Sequence, residues 1–590
     1  MPKFVLIDHS LKDLGGHYYT YASCVLPAAE RAGYQVALAV NHEFRDFDAL
    51  PRSWTAHAIY KRKSYSHRTI ETGIGRKGAL SALTAWWVQM RKAMRARERE
   101  RIARSFAEDC LALFDRVQLA AGDHVFIATA SELDLDGLAR FLQSRSMPGK
   151  ANYRDVNWHM QFHLGPFKGR EPDYPAQGAA REAMREVFVE ALARVPGHRI
   201  HLYCTSEQLT AQYERLQAAP FSTLPYPVHP LFLENPPSQS AAPPVRIACL
   251  GHNRREKGYR QLPRIVAALW QDYLSNGRAQ LVMQTRRRDM QRPLDAVVAK
   301  LGAHSATPPV EYASFPLAME RYAALLRSSG IGLLLYDSAR YYARASGVML
   351  EMLTAGVPVI VPAGCWLSEQ IAEETQSYLD NVASGALPLK RIDFQDISWQ
   401  PAATAAAINS AARTVSFDRT PVMGEFALPV GGVCLLVSID WIAPPTPGTY
   451  LQLSLEQFDA QGRSLKKFAI ANGRRMHGRN LQALFHLRTD ARRARLSWSN
   501  AWDDGIITAG DIECRVLGGD ARPLGAVGLS AAIMEQTPEL LLDILQHFEH
   551  YRRSAAAFAT RCAQHHNADQ IIALLTAASA EPAAVSALSR

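Results

Sequence analysis

Residues 343–361, ARASGVMLEMLTAGVPVIV, decide the fold class of this chain. A turn at Ser346 and Gly347 precedes an apolar helical run, which Gly356 ends. Residues 358–361 then form a short apolar run, which is typical of a buried parallel strand. A helix that passes directly into such a strand predicts a doubly wound sheet, in which ligands bind beyond the carboxyl ends of the strands.

The start of this helix has the properties of a phosphate site. The first backbone N–H groups of a helix have no partner within the helix, so those of Ser346, Gly347 and Val348 are predicted to be free. The helix dipole also favours an anion at this end. Glu351, about one turn further along, is placed to accept a hydrogen bond from a sugar hydroxyl. The segment therefore predicts binding of a phosphorylated sugar or nucleotide.

Length and composition predict a globular protein of about three folded units, because 590 residues with 48% hydrophobic content exceed one core. No run of 18 apolar residues occurs, and MPKFVLIDHS at the start resembles a first strand more than a signal peptide. We therefore expect a cytoplasmic protein. The eight cysteines are scattered without zinc-type spacing, so neither disulfides nor a metal is expected.

Residues 1–230 are predicted to form a first Rossmann-like domain, because short apolar runs alternate with helical patterns. The predicted strands are FVLID, VALAV, VFIATA, NWHMQFH, RIHLYCT and FSTLPYP. A second series, in residues 231–400, follows a proline-bearing linker at 234–244. Its predicted strands are VRIACLG, AQLVMQT, PVEYA, GIGLLLY and PVIVP. We expect two Rossmann-like domains that face each other.

The pattern changes after these domains. Residues 401–520 contain alternating runs separated by Pro, Gly, Asn and Asp, which predicts an antiparallel β-sandwich or jelly roll. Helical sequence returns in residues 521–590. We interpret the sandwich as an insert in the second Rossmann-like domain, which the last helices complete.

Two loops that follow predicted strands are candidate ligand loops. The first contains Gly15, Gly16 and His17 after the first strand, where glycines let a backbone approach a ligand. A plain tight turn explains the glycine pair equally well, because the motif is not GxGxxG.

The second loop, LGHNRREKGY, contains Arg254, Arg255 and Lys257 just before a helix. These cations could neutralise a diphosphate leaving group. The alternative is a solvated basic loop. Its position in the same domain as the Ser346 turn favours a shared site.

With these motifs the chain resembles glycosyltransferases of the GT-B fold, most closely the retaining group that includes bacterial mannosyl- and glucosyltransferases (glycosyltransferase family four-like). The Gly-Gly loop, the REKG segment and SGVMLEMLTAGVPVIVP carry the resemblance. It implies that Glu351 binds the ribose of a nucleotide diphosphate sugar, and that Arg254 or Arg255 with Lys257 binds the diphosphate. It also implies that no cofactor or metal is needed, and that the anomeric configuration is retained.

One residue departs from the pattern of that family. Two glutamates eight positions apart are usual there, but the first position is Ala343 in this chain. Arg344, Tyr341 and Tyr342 lie in the same turn and could contact the donor, or the tyrosines could simply pack. Asp337 and Ser338, which follow GIGLLLY, are further candidates.

The resemblance also implies a histidine that contacts the donor sugar. His159 and His163 lie near the end of NWHMQFHLG, and His163 is favoured because it is nearest the carboxyl end of the strand. A buried, hydrogen-bonded histidine is the alternative. Asp134 and Asp136 resemble a metal-binding pair, but we assign them to the first turn of a helix, where acids complement the dipole.

The expected reaction is transfer of a sugar from the donor to a glycan or lipid-linked glycan acceptor, in surface polysaccharide synthesis. Residues 61–104 hold 13 Lys/Arg against three Glu, together with Trp86, Trp87, Met90 and Met94. This segment suits the anionic inner face of a membrane, or it is an ordinary solvated helix. No nucleic-acid partner is expected, because the segment lacks a recognised module.

The sandwich and the overall activity leave alternatives open. Trp441, Trp498 and Trp502 could offer stacking faces to a glycan, or they could be core residues. The alternative activities are a nucleotide-sugar epimerase of the same fold and a non-catalytic sugar-binding or assembly protein. Ala343 and the added sandwich motivate the second of these.

Overall fold

The computed structural model describes most of the chain. The described ranges are 1–15, 17–64, 82–146, 153–233, 243–251, 254–302, 307–315, 317–400, 407–443, 450–472, 480–502 and 504–578. Gly16, most of the predicted linker and the side chains of His17, Trp86 and Trp87 lie outside the described residues.

The first domain is a seven-stranded parallel sheet in the order β3-β2-β1-β4-β5-β6-β7. Its strands are β1 (Lys3–Asp8), β2 (Gln35–Asn41), β3 (Thr55–Tyr60), β4 (His124–Ala130), β5 (Asn157–Phe162), β6 (Arg199–Cys204) and β7 (Ser222–Thr223). Its helices are α1 (His17–Arg31), α2 (Ala82–Val117), α3 (Glu132–Arg145), α4 (Gly178–Ala193), α5 (Glu207–Glu214) and α6 (Pro230–Leu233).

Two strands of this sheet differ from prediction. β3 was not predicted, and its first four residues are only partly buried or exposed. The segment FSTLPYP contributes only the two residues of β7. Pro220, Pro225 and Pro227 flank this pair, and a proline has no N–H to donate to a neighbouring strand. The parallel sheet itself is as predicted.

The second domain starts with β8 (Val245–Cys249), β9 (Ala279–Gln284), β10 (Val310–Ala313), β11 (Ile331–Leu333) and β12 (Val359–Pro362). Its helices to this point are α7 (Leu262–Leu269), α8 (Arg288–Leu301), α9 (Met319–Arg327), α10 (Gly347–Thr354) and α11 (Trp366–Gly385). The helix and strand predicted within 343–361 are therefore α10 and β12.

Two antiparallel sheets follow and form the predicted sandwich. The strands are β13 (Lys390–Ile392), β14 (Ser398–Gln400), β15 (Ala407–Asn409), β16 (Thr414–Phe417), β17 (Val422–Ala427), β18 (Cys434–Ala443), β19 (Leu451–Phe458), β20 (Ser464–Asn472), β21 (Leu481–His486), β22 (Arg493–Asn500) and β23 (Ile507–Leu517). β13 pairs with β23 and β14 with β17, so the sheets begin before the predicted boundary at residue 401.

The chain then returns to the second domain. β24 (Gly528–Ala531), which was not predicted, pairs in parallel with β12 and completes a six-stranded sheet in the order β10-β9-β8-β11-β12-β24. The helices α12 (Thr537–Gln546), α13 (Phe548–His565) and α14 (Ala568–Ala578) end the described chain. Because β12 and β24 are neighbours, the sandwich is an insert in this domain. The predicted α/β class with two Rossmann-like domains and a β insert is confirmed.

The two Rossmann-like domains contact each other directly. The Ser206 hydroxyl, at the start of α5, donates to the Ala343 carbonyl across 2.7 Å. The last described helix, α14, packs against α1 of the first domain. In each sheet the strand order reverses beside a central strand, β1 or β8, and such switch points form ligand crevices. No helix in the described part of the chain is both long and apolar enough to cross a membrane.

Candidate functional site

The N-terminus of α10 is capped in a way that leaves donors for a ligand. The Ser346 hydroxyl accepts a hydrogen bond from the Met349 amide at 3.4 Å, as an N-cap does. The Ser346 carbonyl accepts from the Leu350 amide at 3.2 Å. The amides of Gly347 and Val348 have no acceptor among the described residues, which agrees with the sequence prediction.

Lys257 reaches the same point from a different loop. Gly251, which follows β8, has a φ of +91°, and a Cβ there would lie 2.8 Å from Lys257 Nζ. The same Cβ would lie 3.2 Å from Val348 Cγ2. Lys257 Nζ and the first turn of α10 therefore converge on the backbone of Gly251. The region around this point, where the two Rossmann-like domains meet, is named the crevice. The absence of a side chain at residue 251 keeps this space open.

Lys257 is a cation in a partly apolar, partly cationic environment. Its Nζ lies 4.8 Å from the centre of the Tyr336 ring. Burial lowers the pKa of Lys257 to about 8; Tyr341 works against this shift, while the positive charges of Arg254 and Arg344 add to it. The predicted cations Arg254, Lys257 and Arg344 are therefore close enough to repel each other, which an anionic ligand would relieve.

Glu351 lies behind this cluster and is held in place. Its Oε2 accepts a hydrogen bond from the Tyr322 hydroxyl at 2.6 Å. Burial raises the pKa of Glu351, and the hydrogen bond from Tyr322 and the charge of Lys257 oppose the rise. Cys24 of α1 is also near, because Glu351 contributes to the raised pKa of that thiol. A carboxylate fixed from one side has its other oxygen available for a ligand.

His163 follows β5 on the opposite side of the crevice. Its Nε2–H donates to the Ala128 carbonyl at 2.6 Å, so the neutral ring keeps Nδ1 as an acceptor. Burial lowers the pKa of His163 to about 4, and the charge of Arg344 contributes. The imidazole is therefore neutral at physiological pH. Because the charge of Arg344 affects its pKa, His163 lies close to the second domain.

A tyrosine pair joins His163 to α10. The rings of Tyr21 and Tyr226 both lie 6.0 Å from the His163 ring, and they are 5.4 Å apart. A Cβ on Gly347 would lie only 3.1 Å from Tyr226 Cε1. Glycine at residue 347 thus permits the first turn of α10 to approach the first domain closely.

Most side chains of the turn before α10 are buried by packing. Ala343 is only 5% exposed and packs among core residues of the first domain. Tyr341 and Tyr342 are buried as well, so packing is the correct alternative for both. The Arg344 guanidinium lies 5.3 Å from the centre of the Tyr341 ring and close to both Lys257 and His163.

Three other predicted residues lie away from this crevice. Arg255 is exposed and lines a separate cavity, together with Asp337 and Ser338. The Asp337 carboxylate accepts the amides of Ala339 and Arg340 at 3.0 and 3.3 Å. Asp337 and Ser338 therefore do not replace the missing glutamate beside Lys257.

The glycine loop is only partly described. The Gly15 amide donates to Asp13 Oδ1 at 2.9 Å, which is a local turn contact. Gly16 and the side chain of His17 lie outside the described residues, and α1 begins at His17. The predicted role of this loop in donor binding stays a prediction.

Asp134 lies in the first turn of α3, as predicted, whereas Asp136 lies in the next turn. Asp134 Oδ2 accepts the Ser131 amide at 2.7 Å and completes a capping box at the start of α3. Asp136 pairs with Arg140 and Arg194. Among the described residues, no group of three or more His, Cys, Asp or Glu side chains is arranged to hold a metal ion.

Two of the three tryptophans of the sandwich have no free face. Trp498 is fully buried in the core. Trp502 stacks on Tyr450 at 4.3 Å, and the Arg170 guanidinium covers it at 4.4 Å. Packing is therefore the correct alternative for these two. Trp441 lies against Gly510 but is only partly buried, and its role stays a prediction.

Tyr322, Tyr226 and Tyr336 are parts of the crevice that sequence reasoning missed. Each tyrosine contacts a residue that lies far away in the sequence: Tyr322 contacts Glu351, Tyr226 lies against Gly347, and Tyr336 lies under Lys257. No local pattern marks such a tyrosine, because its role depends on tertiary contact.

The sequence matches no protein-family model and no curated protein. Among solved structures, the chain is similar to a UDP-forming α,α-trehalose-phosphate synthase from Burkholderia xenovorans, at 12% identity and a TM-score of 0.38, over 63% of this chain and 86% of that one. It is similar to the N-terminal domain of Candida albicans trehalose-6-phosphate phosphatase at 12% identity and a TM-score of 0.41, over 63% and 85%. At these values the activities of those proteins do not transfer to this chain.

Proposed function

We propose that the chain is a glycosyltransferase that uses a nucleotide diphosphate sugar as donor. The observation that carries the proposal is the convergence of Lys257 Nζ and the first turn of α10 on the backbone of Gly251. A cation, two free amides and a helix dipole directed at one point form a site for a diphosphate. Glu351 lies behind this point, where a ribose hydroxyl can bind.

Departure of the nucleotide diphosphate builds negative charge on its phosphate oxygens. Lys257, Arg254 and the amides of Gly347 and Val348 are the groups that stabilise this charge, and they are in place before the reaction. The charge of Arg344 acts on both Lys257 and His163. We infer that these side chains take the part that a metal ion would otherwise play.

His163 is proposed to bind the transferred sugar. Its Nε2–H is held by the Ala128 carbonyl, so Nδ1 can accept a hydrogen bond from a sugar hydroxyl. A neutral imidazole suits this role because it adds no charge beside the developing cationic sugar. We propose transfer with retention, by attack on the face from which the diphosphate leaves.

The acceptor is proposed to be a glycan or lipid-linked glycan at the inner face of a membrane, in surface polysaccharide synthesis. α2 contains 36 residues, and ion pairs from Glu98 and Glu100 onward join its later part to the first domain. The described side chains before this point, residues 93–97, are exposed, and Met94 is 57% exposed. A basic helix with exposed methionines can bind anionic lipid.

Vesicle sedimentation tests this contact. The chain should bind vesicles that contain phosphatidylglycerol and not pure phosphatidylcholine, with binding lost at high salt. A variant with Arg95, Arg97 and Arg101 changed to Gln should bind more weakly. Equal binding of this variant and the wild type would contradict the proposal.

A thermal-shift screen followed by a turnover assay tests the main proposal. One of UDP-, GDP-, ADP- or dTDP-sugars should raise the melting temperature, because it binds only the folded state. The stabilising donor should then release its nucleoside diphosphate when glycan acceptors are supplied. Failure of every donor to bind would contradict the proposal.

A second candidate is a non-catalytic sugar-binding protein, and the environment of Ala343 favours it. A buried alanine occupies the position at which the resembling family has an acid. Donor binding without release of nucleoside diphosphate, across a broad set of acceptors, would support this candidate. Isomerisation of the donor alone would instead indicate an epimerase.

A further inference from the structure

A second cavity, of about 640 Å³, lies between the second domain and the sandwich. It is bordered by residues that follow β8, β11, β12 and β24, at the carboxyl edge of the second sheet. Tyr450 and Trp502 of the sandwich cover it, and Arg170 of the first domain closes one side. Its volume is in the range of small-molecule sites.

Positive charge dominates the side chains of this cavity. Glu256 is engaged by Arg340 at 3.6 Å, and the Asp337 carboxylate accepts two backbone amides. The Arg255 side chain is exposed, and its guanidinium makes no hydrogen bond or ion pair within the described part of the chain. Arg170 donates to the Ser338 hydroxyl at 2.8 Å and has no carboxylate partner there. Three arginines and two carboxylates line the cavity, so its side chains carry a net charge of +1, and neither Arg255 nor Arg170 forms an ion pair within the described residues.

The covering aromatic residues fix the shape of this cavity. Trp502 is held between Tyr450 at 4.3 Å and Arg170 at 4.4 Å, so its two faces are occupied. Gly364 leaves the space that the edges of both rings occupy. A ligand is therefore recognised by polar and charged groups and not by stacking on Trp502.

The Tyr336 ring separates this cavity from the proposed donor crevice. It lines the cavity and also contacts Lys257 at 4.8 Å. Lys257, Ser346 and Glu351 do not line the cavity. The two spaces are neighbours with different cations.

We propose that this cavity binds a small anionic saccharide, through a phosphate or carboxylate group that Arg255, Arg340 and Arg170 contact. Guanidinium groups bind such oxyanions with paired hydrogen bonds. Gln261 and Gln452 line the same space and can bind the hydroxyls of the ligand. The site is separate from the one that holds the nucleotide.

Isothermal titration of the full chain tests the proposal with matched probes. Ribose 5-phosphate is compared with ribose, and glucuronate with glucose, so that the phosphate and carboxylate sources are distinguished. At least one anionic probe should bind, and its neutral counterpart should not. Absence of binding by both anionic probes overturns the proposal.

Variants locate the bound probe. Arg340→Gln and Arg255→Gln should each weaken binding of the anionic probe about tenfold, by loss of a charge-assisted contact. Arg260→Gln, an exposed arginine in the same loop that does not line the cavity, is the control. Equal affinity of the Arg340, Arg255 and Arg260 variants overturns the proposal.

Competition separates this inference from the proposed function. A stabilising nucleotide sugar should leave binding of the anionic probe unchanged, and Glu351→Ala should also leave it unchanged. Displacement of the probe by the nucleotide sugar would place both in one site and overturn the inference. If no nucleotide sugar binds while the arginine-dependent probe does, the proposed function fails and this inference stands.

Discussion

Lys257 holds its charge in an environment that disfavours it. Burial lowers its pKa to about 8, and the nearby arginines add to the shift. If the cation binds the donor diphosphate, donor affinity of the free protein must fall as the pH rises through about 8, because the lysine then loses its proton. Below that pH the charge, and with it the affinity, is retained.

The variant Lys257→Arg should remove this pH dependence, since a guanidinium stays protonated. We expect kcat/KM of the wild type to decline above pH 8 and that of Lys257→Arg to stay level, although lower overall. The pH profile of kcat/KM measures both. An identical decline in both proteins would show that another group titrates.

Ala343 cannot be replaced by the missing glutamate without a cost in stability. Its side chain is 5% exposed among core residues, and its carbonyl accepts the Ser206 hydroxyl. Ala343→Glu should therefore lose about 3 kcal/mol or more of unfolding free energy, from burial of an unpaired acid. Chemical denaturation measures the loss.

Ala343→Gln is the matched control for this substitution. It adds nearly the same volume without a charge, so it should lose less stability than Ala343→Glu. If both variants unfold at the wild-type denaturant concentration, the site is open and can accept an acid.

The backbone conformation of the loop after β8 affects the position of Lys257 in the donor crevice. Gly251 has a φ of +91°, and a Cβ there would lie 2.8 Å from Lys257 Nζ. Gly251→Ala should lose about 1–2 kcal/mol of stability from the strained backbone and should also weaken donor binding about tenfold, because Lys257 is displaced.

Gly33→Ala separates the two effects. Gly33 has a φ of +90°, and a Cβ there would have no neighbour within 4 Å. This control should lose similar stability and keep wild-type donor affinity. Titration calorimetry measures the donor affinity of both variants. Equal donor affinity in both would contradict the proposed position of Lys257.

Three neighbouring strands of the first sheet carry a stack of histidines. His124 of β4, His159 of β5 and His201 of β6 stack at 5.3 and 5.1 Å, and His124 Nδ1 lies 3.0 Å from His159 Nε2. Burial lowers the pKa of all three, that of His124 to about 4. The unfolded chain therefore binds more protons than the folded one as the pH falls below 6.5.

Stability should consequently fall between pH 6.5 and about 4. Protonation of His124 alone corresponds to about 3 kcal/mol, at about 1.4 kcal/mol for each pKa unit. His159→Gln removes one titrating ring and keeps hydrogen-bonding groups. The free energy of unfolding of this variant should therefore fall less steeply between pH 6.5 and about 4 than that of the wild type. His42→Gln, at an exposed histidine, is the control, and urea denaturation at several pH values measures the slopes.

Strong apolar runs predicted the central strands, whereas β3 and β24 were missed. β24 reads GLSA, and only its pairing with β12 shows that it is a strand. Gly528 permits that pairing, because a Cβ there would overlap the backbone of Val359. A pairing partner so distant in sequence leaves no local signal, and the same is true of Tyr322 and Tyr226 in the crevice.

The predicted motifs separated into two places in the folded protein. Lys257, Ser346, Glu351 and His163 lie close together where the Rossmann-like domains meet, and their role in donor binding stays a prediction. Arg255 lies only two positions from Lys257 but lines the other cavity, because the 3₁₀ turn Arg255–Lys257 directs neighbouring side chains differently. The sequence predicts that these cations share one loop, whereas only the tertiary structure shows which of the two spaces each cation faces.

The sandwich covers the second cavity with Tyr450 and Trp502. Trp502 contacts Arg170 of the first domain and lies over Gly364 of the second. The sequence of this unit predicted an antiparallel sandwich, but neither the order of its strands nor that it would cover the carboxyl edge of the second sheet. That position depends on contacts between three units, to which no single segment points.

Calorimetric titration of the nucleotide diphosphate sugar that most raises the melting temperature tests the proposed donor site. The wild type should bind this donor, and Lys257→Ala should bind it at least about tenfold more weakly, by loss of a charge-assisted contact. Lys300→Ala, at an exposed lysine of α8, should bind as the wild type does. Equal affinity of the Lys257→Ala variant and the wild type would contradict the proposed site.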